Sequence, residues 1–210
     1  MDIIDNYNRL TLGLYQEILE VNRNESLEDI DKQVQILSIL TGVAEEEILH
    51  LPITEYKELV VKAGFLDPNN INYHPIAKKY LVGGFELVPT RDFRKLETCQ
   101  YIDFQTYAPD LDHHLVEFLS VILVPKGKRY NEGYDILEVQ KAIREEMSVS
   151  DGVSLAAFFL TWCRRSIKDS LNYSRQEAMR IKDKTKREEI LKMIQEQETL
   201  LETSGDGSQM

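Results

Sequence analysis

Three side chains in this sequence stand at a spacing that metal chemistry uses: His113, His114 and Glu117. Residues four apart share one face of a helix, so His113 and Glu117 would point the same way. A catalytic zinc takes three protein ligands with partners behind them, and one face here supplies two. A solvated helix start is the stronger reading, and neither a metal nor any other cofactor is expected. His50 and His74 are isolated and read as surface or loop residues. Cys163 lies between Trp162 and Arg164, and a neighbouring cation can activate a thiol. It also continues an apolar helical pattern, which favours a buried structural cysteine. Cys99 has no paired His or Asn in a nucleophile context. The dipeptide Gly83–Gly84 lacks both phosphate-loop spacings and reads instead as a tight hairpin turn. The carboxylates at Glu45 to Glu47 and at Glu145 and Glu146 fall on faces expected to be exposed. Acid–base work would need a partly desolvated pocket to tune them. The expectation is a protein that is not an enzyme.

Composition sets the wider bounds. The chain has 210 residues, 42% of them hydrophobic, enough for a real core. Its formal net charge of −11 argues against nucleic acid as a general partner and favours neutral or basic proteins. Two cysteines make no disulfide framework and point to a reducing compartment. The opening MDIIDNYNR has no basic stretch ahead of an apolar one, so no secretory signal is expected. The apolar run from Phe118 to Val124 is far short of the ~20 residues that span a bilayer.

The pattern predicts a mainly α fold, a helical bundle in two parts with one small β-hairpin and a long charged C-terminal helix. Residues 1–66 read as a helical subdomain. One helical face carries Leu12, Ile18 and Leu19. Ser26 would cap a second helix bearing Ile30, Val34, Leu37 and Leu40, which Gly42 stops. A short acidic helix, Ala44 to Leu51, is closed by Pro52, and Thr54 would cap the next. Residues 67–98 read as a loop followed by a hairpin around Gly83–Gly84. Two strands alone are marginal, so the hairpin must lie on a helix or extend another sheet. Residues 99–173 read as the helical core, with the second helical part starting near Phe93. Leu115, Phe118, Leu119 and Ile122 form a buried face that ends at Pro125, with Asp112 as cap. The segment KGKRYNEGY reads as an exposed excursion. Ser148 to Gly152 reads as a break, with Ser150 capping an apolar helix from Val153 to Ile167. Residues 174–203 read as a long, partly exposed charged helix, and 204–210 as a disordered tail.

Within 174–192 seven basic residues, among them Arg175, Arg180, Lys184 and Arg187, meet four acidic ones. Pairing along a solvated helix is the plainer reading, and an electrostatic contact with an acidic partner or with nucleic acid is the other. Aromatic residues crowd the second half, and any exposed together would mark an interface. The residues assigned to partner contact are Tyr101, Phe104 and Tyr107, with Arg180, Lys184 and Arg187 on the helix from Arg175 to Leu201.

At CQYIDFQTYAPDLDHHLVEFLSVILVPKGKRY the chain resembles small tailed-bacteriophage morphogenesis proteins of the tail-assembly-chaperone type. Gln100 to Phe104, the Leu115–Val124 segment, Pro125 with Tyr130, and Ala156 to Phe159 carry the likeness. The openings TLGLYQEILEV and SILTGVAEEEILHLP are similar to that group as well, and the charged stretch 174–202 departs from it. The chain is also similar in style to short virion proteins of phages of Bacteroides-type hosts, including head–tail ring proteins. The resemblance implies an assembly role without chemistry, in the host cytoplasm or the virion. Other phage structural proteins are the implied partners, a second copy of the chain among the alternatives, while the short apolar run speaks against a membrane and the net charge against nucleic acid. The alternatives from the residues are a head–tail connector ring subunit, in which Glu45 to Glu47 would meet Arg180 to Arg187, and a small metal-dependent enzyme using His113, His114 and Glu117.

Overall fold

The computed structural model describes residues 1–203 apart from Arg91, Phe93 and Arg94. The expected tail at 204–210 and the expected start near Phe93 lie outside the described residues. The fold is mainly α with one small antiparallel sheet. The chain divides into two compact units, Met1–Ala156 and Ala157–Met210.

The first unit is closed by its own N-terminal segment. Leu12 N–H donates to Met147 C=O (3.0 Å) and Val149 N–H to Leu10 C=O (2.8 Å), so residues 10–12 pair with 147–149 as a short bridge. From there α1 (Leu12–Arg23) starts under a Thr11 cap and buries Leu12, Gln16 and Ile18. Helix α2 (Asp29–Thr41) buries Val34, Leu37 and Leu40 against α1. Gly42 ends α2 as expected, at φ 68° in the left-handed region, where a side chain would be strained. Ser26 does not cap α2. Its hydroxyl donates to Asn24 Oδ1 (2.6 Å), and the helix begins after Glu28. Helices α3 (Glu45–Leu49) and α4 (Ile53–Ala63) flank Pro52, so Thr54 lies inside the first turn of α4 and is not its cap.

The hairpin forms where the dipeptide places it, with β1 (Tyr80–Val82) and β2 (Phe85–Pro89) paired antiparallel. Gly83 and Gly84 have φ of 54° and 77°, the positive values such a turn demands. A Cβ on Gly83 would stand 2.4 Å from the Ala142 Cβ, so the turn also rests close on a helix.

The rest of this unit differs from the sequence pattern at three points. Helix α5 (Thr98–Tyr107) leads to α6 (Leu111–Ile122), and α6 stops at Ile122, before Pro125. Leu123–Pro125 instead becomes β3, pairing Leu87 with Pro125 and Val88 with Val124. The missing N–H of Pro125 loses nothing there, because edge strands tolerate proline. Helix α7 (Ile136–Glu146) follows under an Asp135 cap, and Ile143 and Val139 are buried against the α1 and α6 side. Helix α8 (Val149–Met179) then begins directly after Ser148, inside the stretch Ser148 to Gly152 that reads as a break. Asp151 N–H donates to Ser148 Oγ (3.1 Å), and Ser148 Oγ donates to Asp151 Oδ2 (2.8 Å). Gly152 suits the helix because a Cβ would press within 2.8 Å of Leu12 and 3.2 Å of Leu119. The polar loop 126–134 is also less free than its composition suggests. Tyr130 is buried and its hydroxyl donates to Asp103 Oδ2 (2.7 Å), while Arg129 pairs with Glu97 (2.9 Å).

The second unit holds the remainder of α8, a turn over 180–183, and α9 (Lys184–Thr203). The expected boundary at 173/174 falls inside α8. The helix ends six residues later, and Asp183 caps α9 through Lys186 N–H (3.2 Å). Leu171, Ala178 and Ile194 are buried here.

Candidate functional site

The histidine pair and Glu117 do not converge. Helix α6 kinks at His114 (φ −121°, ψ 24°), which breaks the four-residue spacing that would have aligned His113 with Glu117. Both ring nitrogens of His113 have partners: Nδ1 faces Asp110 (2.8 Å) and Nε2 faces Arg23 Nη1 (3.0 Å). A guanidinium only donates, so Nε2 accepts and Nδ1 carries the proton towards the carboxylate. That hydrogen bond holds the Asp110 carboxyl below the usual carboxylate range. His114 packs against Tyr107, with ring centroids 5.6 Å apart and the planes tilted by 44°. Glu117 turns to Arg144 on α7 (3.6 Å). Among the described residues no group of three potential ligands comes together.

Cys163 is buried, and desolvation pushes its thiol up against a smaller opposing pull from Arg164. Cys99 is exposed. Glu45, Glu46 and Glu47 are exposed on the first turn of α3, and Glu145 is exposed beside Lys141 (3.9 Å). Glu146 is a tether: its Oε2 accepts from Gly83 N–H (2.7 Å) and fixes the hairpin turn to the end of α7.

One polar cluster escapes a reading by spacing, since its members lie some 75 to 80 positions apart in the chain. His74 N–H donates to Ser154 Oγ (3.1 Å), and His74 Nε2 lies 3.5 Å from Asp151 Oδ1, whose carboxylate also receives the Ser148 hydroxyl. The order is serine–carboxylate–imidazole. Nucleophilic activation needs the imidazole in the middle, so this cluster caps α8 and anchors the loop before β1. Beside it lies a cavity of about 400 Å³, lined by Ala77, Lys79, Tyr80, Leu81 and Val82 on one side and Glu146, Met147 and Asp151 on the other. Only the acidic pair Glu145–Glu146 pointed towards it in the sequence.

The residues assigned to partner contact divide. Tyr101 is exposed (43%), as is its neighbour Ile102, and Tyr107 is half-buried. Phe104 is a correction: it is 1% exposed and packs on Phe118 with centroids 5.2 Å apart. Of the three aromatic residues on α5, Phe104 is the one that is fully buried. On the second unit Arg180 pairs with Glu177 (2.5 Å) and Lys184 with Glu188 (3.9 Å), along the helices. Arg187 is half-buried. Composition did not single out the most exposed apolar side chains of the first unit: Val61 (79%), Leu81 (71%), Leu137 (68%), and Leu49 and Ile53 (each 65%). Among the described residues no helix is long and apolar enough to cross a membrane.

Comparison with family models, with curated proteins and with solved structures finds no match to this chain.

Proposed function

We propose that this chain is a non-enzymatic bacteriophage morphogenesis protein that works by contact with other structural proteins, in the manner of a tail-assembly chaperone. The observation that carries the reading is the apolar surface of α3 and α4. Leu49, Ile53 and Val61 lie exposed on short helices whose buried sides are Ile48 and Leu59. Exposed apolar side chains set beside charged ones support a protein-binding face, and Glu45 to Glu47 are exposed on the same short helix as Leu49. The likeness over residues 10–173 supplies the setting.

The test is purification of the tagged full chain from infected cells, with identification of what accompanies it, alongside mass analysis of purified particles. The expected result is co-purification of a tail or portal protein and absence of this chain from mature particles. Replacing Ile53 and Val61 with serine should abolish the co-purification while the melting temperature is preserved. Recovery of the chain alone would remove the reading. One observation favours a second reading, a permanent connector-ring subunit. The acidic start of α3 and the exposed Lys182, Lys184 and Lys186 give one chain two complementary charged patches, as a head-to-tail ring requires. Fixed copy number in mature particles would select it.

A further inference from the structure

We propose that the free edge of β1 takes up an extended segment of a partner protein as an added strand, one that alternates basic with apolar residues. The proposal rests on the reading of the chain as a contact protein and names the chemistry of what it contacts.

The register fixes which main-chain groups are available. Lys126 N–H donates to Glu86 C=O (2.8 Å), so the main-chain groups of Glu86 face β3. Those groups alternate sides along a strand, and Glu86 opposes Leu81 across the hairpin. Leu81 therefore occupies a position that makes no hydrogen bond to β2, and its N–H and C=O point out of the sheet. β1 is terminal in the strand order, and no described residue pairs with Leu81 on that side. An edge of this kind is a template for another strand.

The cavity lies along that edge. It touches Tyr80, Leu81 and Val82, three consecutive residues whose side chains alternate between the two faces of the sheet. A space that reaches all three borders the backbone edge, and β2 occupies the other edge. About 400 Å³ falls within the range of ligand-sized clefts, ~300–1,000 Å³. A helical partner has its main-chain groups already paired and offers an edge none, so the occupant is extended. Its charge follows from the facing wall. Glu146 and Asp151 both line the cavity, while the one cation there, Lys79, is drawn to Glu86 at 3.3 Å. A protein of net charge −11 adds to the attraction for a basic segment. The exposed Leu81 side chain supplies the apolar contact.

The experiment uses the full chain and a fluorescent peptide of about six residues, the common strand length, alternating lysine and valine. Saturable binding is expected, with slowed exchange of the Leu81 amide in the complex. N-methylation of the peptide on alternate residues should weaken binding about tenfold, the loss of one or two main-chain hydrogen bonds. A glutamate–valine peptide should bind about tenfold more weakly as well. Leu81→Pro should reproduce the loss, since an outward-facing N–H can be removed from an edge strand without unfolding it. If that variant does not fold, the N-methylated peptide carries the same test. Absence of binding, or equal binding of the N-methylated or the acidic peptide, overturns the proposal. So does a dimer of the chain that Leu81→Pro makes monomeric, because the edge would then serve a second copy. Failure here with structural proteins still co-purifying removes the strand edge and leaves the contact reading. Peptide binding without co-purification does the reverse.

Discussion

Helix α6 and helix α9 are both amphipathic, yet they are stabilised in opposite ways. In α6, Val116, Phe118, Leu119, Val121 and Ile122 have no exposed surface. In α9, Ile194 is the one buried side chain among those described, and Lys–Glu pairs line the solvent. The first helix is held by desolvation and close packing from neighbouring elements, whereas the second leans on helix propensity and weak surface electrostatics. The contrast is tested most strongly at Phe118, which packs on Phe104. Phe118→Ala should lower unfolding free energy by ~3–5 kcal/mol, the usual range for emptying a buried aromatic site, as read by urea denaturation. A loss under ~1 kcal/mol would mean that α6 is no more tightly packed than α9.

A smaller effect is expected where the hairpin rests on α7. Gly83→Ala places a methyl 2.4 Å from the Ala142 Cβ and asks alanine to hold φ 54°. Overpacking and a left-handed alanine together should cost ~2 kcal/mol. Ala142→Gly in the same chain should return the packing share and leave the backbone share, a coupling that a double-mutant cycle measures. Additive effects would show that the turn does not rest on Ala142.

The same contrast explains which parts of the fold were legible. Helices α1, α2 and α7 follow apolar spacing, and Gly42 and Gly83–Gly84 announce their turns by the φ they permit. β3 was hidden because Leu123 and Val124 extend the apolar run of α6. Only the open side of β2, 34 or more residues back, selects strand for them. The start of α8 was hidden because Ser148, Ser150 and Gly152 have the composition of a turn. A reciprocal Ser148–Asp151 cap and the close approach of Leu12 make them helical instead. The candidate site was less legible still. Glu117 meets Arg144 and His74 meets Asp151 only after the elements have packed, and no spacing rule reaches that far.

Electrostatics around the sheet give a third test, one of slope. Hydrogen bonds from Lys126 first and Lys79 second hold the Glu86 carboxyl below the usual glutamate range. A lowered folded value means its contribution is full above the unfolded-state value of about 4.3 and is lost as pH falls through the folded one. Melting temperature should therefore fall more steeply with acid in the parent chain than in Glu86→Gln. Parallel curves would detach Glu86 from the stability of the sheet.

The smallest effect belongs to α9. Lys192 and Glu196 stand 3.9 Å apart with side chains 80% and 64% exposed, and Lys184 and Glu188 repeat the arrangement at 3.9 Å. Both pairs run lysine first, the weaker order, because the helix dipole favours the acid on the N-terminal side. Lys192→Gln should change unfolding free energy by less than ~0.5 kcal/mol. Exchanging the two residues, Lys192→Glu with Glu196→Lys, should raise stability slightly at low salt and lose that gain in 1 M salt, where the screening length is ~3 Å. A loss above ~1 kcal/mol for Lys192→Gln would mean that α9 is fixed by a specific contact rather than by its own helical propensity. Helix α9 would then belong with α6 as a packed element.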